Sequence, residues 1–211
     1  MKLIVKRRVA RRRILEIGVN EESVSHAWVW REEPHNPRDL LVFSNPGMYA
    51  RTVHTPFPEP MRPLKGLLKP SHYEHLKNTA SGIVHSTHHY PWIAKLRKDG
   101  VNAVGAPVRA EENPFRNEVF HEAVMKDVLG DEETMRGKTL AILTETHRVL
   151  KPRGVMRIVE GHTPECVQWG VVEGFFKRHG YNAEEKPGDE VSRWYRPDAR
   201  VIFARKPAGM R

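Results

Sequence analysis

Short apolar segments recur along the chain, and longer stretches of helical or turn-like composition separate them. The segments have the length and the β-branched and aromatic content of buried strands, and they cover residues 13–17, 40–43, 101–108 and 201–204. Because several of them are apolar at consecutive positions, we expect both faces of the resulting sheet to be covered.

Two of the intervening stretches predict helices. Residues 140–150 repeat larger side chains at helical spacing, which places Leu140, Leu143, His147 and Leu150 near one face. Residues 167–179 predict a second helix, and Gly180 supplies a stop signal after it. Strands that alternate with helices are typical of an α/β fold with a doubly wound, mainly parallel sheet.

One long stretch interrupts this alternation. Between residues 52 and 98 the periodicity weakens and prolines accumulate, at Pro56, Pro58, Pro60, Pro63 and Pro70. Proline fixes the backbone and donates no hydrogen bond, so we expect a loop with short helices, inserted after the second strand, rather than part of the sheet. The 211 residues otherwise suit a single domain.

Charge and composition narrow the function classes. The formal net charge is +9, and a basic arm over residues 1–12 adjoins the first strand with Lys6, Arg7, Arg8, Arg11, Arg12 and Arg13. This arm predicts salt-sensitive binding of a polyanion such as RNA or DNA, or a place in a larger assembly; the alternative is a solvated surface. Cys166 is the single cysteine, which excludes an internal disulfide. No apolar run approaches the roughly 20 residues of a membrane helix, so we expect a soluble, cytoplasmic protein without a membrane partner.

Histidines are frequent in the insertion, but their spacing does not match a metal site. His85, His88 and His89 form the densest group. No acid lies at a convincing interval from them, so we predict a basic surface loop and no bound metal.

Two motifs suggest a more specific fold. Residues 13–20 form an apolar strand that ends in an acid and a glycine, Glu16 and Gly18. Residues 146–161 contain Arg-Val-Leu-Lys-Pro-Arg-Gly followed by another apolar strand. They resemble the class I S-adenosylmethionine-dependent methyltransferases, in which the first strand ends in an acid-x-Gly-x-Gly turn and an "RVLKPGG" turn precedes the fifth strand. The resemblance implies a Rossmann-like sheet with an antiparallel last strand.

The resemblance also implies a donor site for S-adenosylmethionine. Glu16 and Gly18 would lie under the methionine moiety, with Asn20 at the place of the second glycine. Ser44 stands where the family has an acid that holds the ribose hydroxyls, and the "GDA" expected near the third strand is absent. Since a serine offers one hydroxyl in place of a bidentate carboxylate, the ribose contact is weaker than in the family pattern.

Two further residues follow the predicted fourth strand, where parallel sheets place their ligands. Lys126 and Asp127 are therefore candidates for contacting the acceptor or relaying a proton. The alternative is that they begin a solvated helix.

Three hypotheses for function follow. The first is methyl transfer from S-adenosylmethionine to an unidentified acceptor. The second is a non-catalytic methyltransferase-like subunit of a larger assembly that could contain nucleic acid. The absence of the acids expected to bind the ribose and the adenine favours this hypothesis. A dehydrogenase-like nucleotide enzyme fits poorly, because no Gly-x-Gly-x-x-Gly follows the first strand.

Overall fold

One seven-stranded sheet organises the protein. The computed structural model describes residues 12–17, 39–44, 66–71, 98, 100–106, 110–130, 137–161, 164–191 and 195–209. The strands are β1 Arg13–Ile17, β2 Leu40–Ser44, β3 Asn102–Ala106, β4 Phe120–Lys126, β5 Leu150–Glu160, β6 Asn182–Pro187 and β7 Arg200–Arg205. Their spatial order is β3-β2-β1-β4-β5-β7-β6. All pairs are parallel except those of β7, which runs antiparallel to β5 and β6. The predicted sheet with an antiparallel last strand is confirmed.

The strands form where the apolar segments predict them, with one exception. β1 has the predicted bounds, and β2 extends one residue further to Ser44. β6 lies between Gly180 and the predicted strand 201–204, in a stretch for which the sequence predicts no strand. Its residues, Asn-Ala-Glu-Glu-Lys-Pro, are mostly exposed because it is an edge strand, and charged residues and proline are common on edges.

Two helices cover one face of the sheet. They are α1 Thr139–Val149 and α2 Trp169–Arg178, followed by the single-turn α3 Gly188–Val191. Buried side chains of the two longer helices share a core with alternate residues of the strands, such as Leu15 and Met125. No helix in the described ranges is long and apolar enough to cross a membrane.

The buried face of α1 differs from the predicted one. Its buried residues are Thr139, Ile142, Leu143, Thr146 and Val149. Leu140 is 45% exposed, and Leu150 already belongs to β5. The prediction is right for Leu143 and wrong for Leu140, because the buried face is completed by Ile142, Val149 and two threonines rather than by the largest side chains.

An irregular turn at the start of β5, directly after α1, contains the Lys-Pro-Arg-Gly motif. Arg153 adopts a left-handed φ of 63°. A Cβ atom on Gly154 would lie 2.8 Å from the carbonyl oxygen of Lys151 and 3.1 Å from that of His121. The pairing with β4 shifts register here, between Phe120 and Glu122. The glycine is therefore needed for backbone to approach backbone as β5 enters the sheet.

Arg148, in the same motif, holds the loop that enters β4. Its guanidinium donates to the carbonyl oxygens of Asn113 at 2.6 Å and Phe115 at 2.8 Å, and to the side chain of Asn117 at 2.8 Å. It also pairs with Glu145 at 2.6 Å. One side chain thus satisfies two carbonyl groups that a loop would otherwise leave to solvent.

Part of the proline-rich stretch packs into the core. Leu67 and Leu68 are buried, and Leu68 forms an isolated antiparallel bridge with Phe115. The amide of Arg116 donates to the carbonyl oxygen of Leu67 at 2.7 Å. The described segment 66–71 is therefore tied to the chain before β4, and most of the predicted insertion 52–98 lies outside the described residues.

We predict opposite effects of two adjacent substitutions on the free energy of unfolding. Gly154→Ala should lower it by about 1 to 3 kcal/mol, because the new methyl group meets backbone oxygens that cannot move aside. Arg153→Gly should leave it unchanged or raise it by up to about 1 kcal/mol, since glycine relieves the left-handed strain but orders a more flexible chain. Urea unfolding of both variants measures the difference, and equal destabilisation would contradict this account of the turn.

Candidate functional site

The strand order has its switch point between β1 and β4. From β1 the chain proceeds to β2 and β3 on one side, and then returns to β4 on the other side of β1. The strand order therefore reverses between β1 and β4, and open parallel sheets bind ligands outside the carboxyl ends of the strands at such a switch point. The site predicted from sequence belongs to this edge.

Glu16 and Ser44 reach this edge from neighbouring strands. Glu16 is 2% exposed and Ser44 is 1% exposed. Ser44 pairs in register with Ile17, so alternation puts it on the sheet face opposite to Glu16. A ligand could contact both side chains only from beyond the strand ends. The other two predicted donor residues, Gly18 and Asn20, lie outside the described residues.

Lys126 and Asp127 lie at the end of β4, but Asp127 has a bracing role. Its backbone is left-handed, with φ 50°, and its amide donates to the carbonyl oxygen of Val159 at 2.8 Å. One carboxylate oxygen accepts from the amide of Gly161 at 2.8 Å, and the other lies 3.6 Å from Nζ of Lys126. Residues 127–130 form a bend and turn, so the alternative of a helix starting here is not observed in them.

Glu160, which is not among the predicted site residues, shapes this edge. It ends β5, is fully buried, and its carboxylate accepts three backbone hydrogen bonds from the loop after β4. The donors are the amides of Val128 at 3.1 Å, Leu129 at 2.8 Å and Gly130 at 3.3 Å. Together with the bond from Gly161 to Asp127, these contacts join the ends of β4 and β5 in both directions.

A sequence signal for Glu160 does exist. An apolar strand followed by Glu160-Gly161 repeats the pattern of an apolar strand followed by Glu16-x-Gly18. The acid closes a buried strand in both cases, and a buried acid requires donors near it. The similarity could have marked Glu160 as a strand-end acid, although it could not have identified the amides it binds.

Burial raises the pKa of Glu160 to about 7. The bond from Leu129 lowers that pKa, the charge of Asp127 raises it, and the bonds from Val128 and Gly130 lower it. Burial therefore destabilises the charged form by more than the three amide hydrogen bonds stabilise it, and this carboxyl titrates near neutral pH.

A row of charges crosses the same sheet face that bears Glu16. Arg12 pairs with Asp39 at 3.2 Å, and its guanidinium lies 4.0 Å from Glu122. Arg157 pairs with Glu122 at 2.8 Å and lies over the ring of Phe203, 5.0 Å from its centroid. Arg12, which the sequence analysis grouped with the basic arm, is thus engaged within the fold.

We predict that stability falls as pH rises from about 4.5 to about 7, with Glu160 as a contributor. Below that window the carboxyl of Glu160 is protonated in both the folded and the unfolded protein. Within it the unfolded chain releases its proton first, so rising pH favours unfolding. Across the whole window the free energy of unfolding falls by roughly 3 kcal/mol. Glu160→Gln should flatten the dependence of the melting temperature on pH. The exposed Glu165→Gln is the control, and an identical pH profile for the Glu160 variant and wild type would contradict the assignment.

Comparison with known proteins tests the fold. No family model matches the sequence, and a search of curated proteins found no relative. Solved structures do match. One is a SAM-dependent methyltransferase from Aquifex aeolicus, with a TM-score of 0.54 at 14% identity over 92% of this chain and 82% of that one.

Two RNA- or resistance-related structures match similarly. The 16S rRNA (adenine(1408)-N(1))-methyltransferase from Catenulisporales acidiphilia has a TM-score of 0.54 at 14% identity, over 96% of this chain and 90% of that one. The antibiotic-resistance methyltransferase Kmr has a TM-score of 0.51 at 11% identity, over 93% and 87%. Together with the strand order, these likenesses show that the chain has the fold of the class I S-adenosylmethionine-dependent methyltransferases, as its motifs predict.

Proposed function

We propose that the protein transfers a methyl group from S-adenosylmethionine, held beyond the carboxyl ends of β1, β2 and β4. The observation that carries this proposal is the buried carboxylate of Glu16 at the end of the central strand, beside the switch point of a methyltransferase-type sheet. The solved structures with this fold include SAM-dependent methyltransferases, which supports the choice of donor.

The charges at this edge suit the methionine half of the donor. That half carries a sulfonium and an ammonium group, and the edge presents acids at the ends of three strands: Glu16, Asp127 and Glu160. Asp127 and Glu160 accept from backbone amides, and Glu16, buried near the end of the central strand, is the acid that would accept from the donor's amino group. A carboxylate in a buried setting attracts a cation more strongly than one in water.

The ribose half would be held less tightly. Ser44, at the end of β2, has one hydroxyl where the family resemblance implies a carboxylate. A neutral hydroxyl makes a weaker hydrogen bond than an ionised acceptor, so we expect modest donor affinity.

The protein's part in the reaction would be positional. The donor supplies an activated methyl group on sulfur, and displacement at that carbon needs alignment and exclusion of water more than a fixed acid or base. Glu160 and Asp127 would keep the β4 loop in one shape at the site. Lys126, with a side chain 15% exposed, is the remaining candidate for contacting the acceptor.

A second candidate function is a binding subunit that does not catalyse. Ser44 in place of an acid favours it, because a protein that no longer needs the donor can lose the ribose contact. Donor binding separates the two functions.

We expect isothermal titration to detect binding of S-adenosylmethionine and S-adenosylhomocysteine. Glu16→Gln should weaken S-adenosylmethionine about tenfold, the loss of one charge-assisted contact, because glutamine keeps the shape and loses the charge. Glu184→Gln, an exposed acid on β6, is the matched control and should bind as wild type does. Gly18→Val should abolish binding by filling the space that the donor needs. Absence of heat with wild-type protein would reject methyl transfer in favour of the binding subunit.

Ser44→Asp should raise donor affinity by about 1 kcal/mol if Ser44 faces the ribose, because a carboxylate accepts from both hydroxyls. The control is Ser44→Asn, because asparagine has nearly the size of aspartate and no charge. Equal or weaker binding by the aspartate variant, with its fold intact by circular dichroism, would remove Ser44 from the donor site.

A further inference from the structure

The described cations of the two sheet edges differ in how many have an acidic partner. At the amino edge, Arg12 and Arg148 pair with Asp39 and Glu145. Near the carboxyl edge the ion-paired cations are Lys138 with Glu111 at 3.2 Å, Arg196 with Asp198 at 2.9 Å, and Lys126 with Asp127. Pairing with an adjacent acid cancels most of the field that a cation presents to a distant partner.

The opposite, amino edge carries cations that no described acid pairs with. Arg13 opens β1, Arg116 enters β4, and Arg153 lies in the turn that enters β5. Lys177 and Arg178 end α2 just before β6, and Arg205 ends the antiparallel β7. Within the described ranges, none of these six makes a salt bridge, and all but the half-buried Arg13 are exposed. We call them the amino-edge cations.

Several of the amino-edge cations are close neighbours. The guanidinium of Arg205 donates to the carbonyl oxygen of Arg153 at 3.3 Å. The amide of Arg153 donates to the carbonyl oxygen of Pro207. Pro207 lies 3.9 Å from the Cβ position of Gly180, and Gly180 bonds back to Lys177. These contacts join the end of α2 to the turn entering β5 in one surface.

The chemistry of the surface favours the phosphates of a helical nucleic acid over a single strand. Single strands are held by aromatic side chains on which bases stack. Leu140 is the large hydrophobic residue exposed among the described residues, and the amino-edge cations have no exposed aromatic neighbour there. Guanidinium groups without a stacking platform contact phosphates and ignore base identity.

The distance between the two edges favours a folded RNA over a linear DNA duplex. β4 spans seven residues, so the edges lie roughly 20 Å apart at about 3.3 Å per residue. A straight duplex on the amino edge would keep its own bases away from the methyl-transfer site. A folded RNA has helices joined by loops, so one helix can lie on the amino edge while another part reaches the carboxyl edge.

We propose that the amino-edge cations dock a helix of a folded RNA whose other part is the methyl acceptor. The choice of a folded RNA and its role as acceptor rest on the proposed function, whereas the docking of phosphates on the amino-edge cations does not. The basic arm before Arg12, with Lys6, Arg7, Arg8 and Arg11, lies outside the described residues and is not part of the proposed surface.

The test compares two triple variants with equal net charge. Arg153→Gln, Lys177→Gln and Arg205→Gln together remove amino-edge cations; Lys138→Gln, Lys186→Gln and Arg196→Gln together remove ion-paired cations elsewhere. Fluorescence anisotropy with unfractionated tRNA, between about 50 and about 200 mM salt, gives affinity and its salt slope. For the amino-edge variant, the slope of log affinity against log salt concentration should become less steep by roughly 2 to 3, because each phosphate contact contributes up to about 0.9. The control variant should have the slope of the wild type.

Other probes decide the class of partner. We expect tRNA to bind at least about tenfold tighter than a length-matched DNA duplex or poly(U), because only the folded RNA can use both edges. Equal loss in the two triple variants, equal binding of tRNA and DNA, tighter binding of poly(U), or stronger competition by polyglutamate would each overturn the proposal. Titration of S-adenosylmethionine into the same variants keeps the two proposals distinguishable: retained donor binding with lost tRNA binding supports docking, and absent donor binding in wild type rejects methyl transfer alone.

Discussion

The shape of the candidate site depends on how the protein accommodates one buried carboxylate. Glu160 is removed from water, and an acid in that position is tolerated only with hydrogen-bond donors around it. The nearest donors are the amides of the loop after β4, so satisfying the acid also fixes the loop. In the other direction, the carboxylate of Asp127 accepts a hydrogen bond from the amide of Gly161. The edge where a ligand would bind is thereby held by backbone groups, which no surface substitution alters.

The opposite end of the same strands is held by different means. Gly154 allows β5 to start beside β4 at a distance that any side chain would prevent, and Arg148 gathers the loop that enters β4. Lys206 adds a cap, since its ammonium donates to the carbonyl oxygens of His147 and Leu150 at 2.8 Å. These groups belong to or contact the Arg-Val-Leu-Lys-Pro-Arg-Gly motif, which explains in structural terms why that motif predicts the fold and not the reaction.

Charge is distributed in a way that separates these two ends. The buried charges of Glu122 and Arg157 form a pair, because an isolated charge in the sheet would cost several kcal/mol. Described cations near the carboxyl edge are paired with acids on the surface, whereas at the amino edge Arg12 and Arg148 are paired and the six amino-edge cations are not. Within the described residues, the cations without an acidic partner therefore collect at the amino edge.

The sequence by itself determined the sheet and its helices. Apolar runs fixed β1 and β2 because a strand buried on both faces needs apolar residues at consecutive positions, and Gly180, with φ 66°, ended α2 as predicted. It also placed Glu16, Ser44 and Lys126 at one edge, since carboxyl ends of parallel strands meet. Tertiary structure alone decided what those patterns leave open. β6 is a strand because β7 pairs with it, and its composition gives no such signal. Glu160 accepts from amides about 30 positions away, which local spacing does not encode. Whether a cation has an acidic partner likewise depends on contacts between residues far apart in the chain.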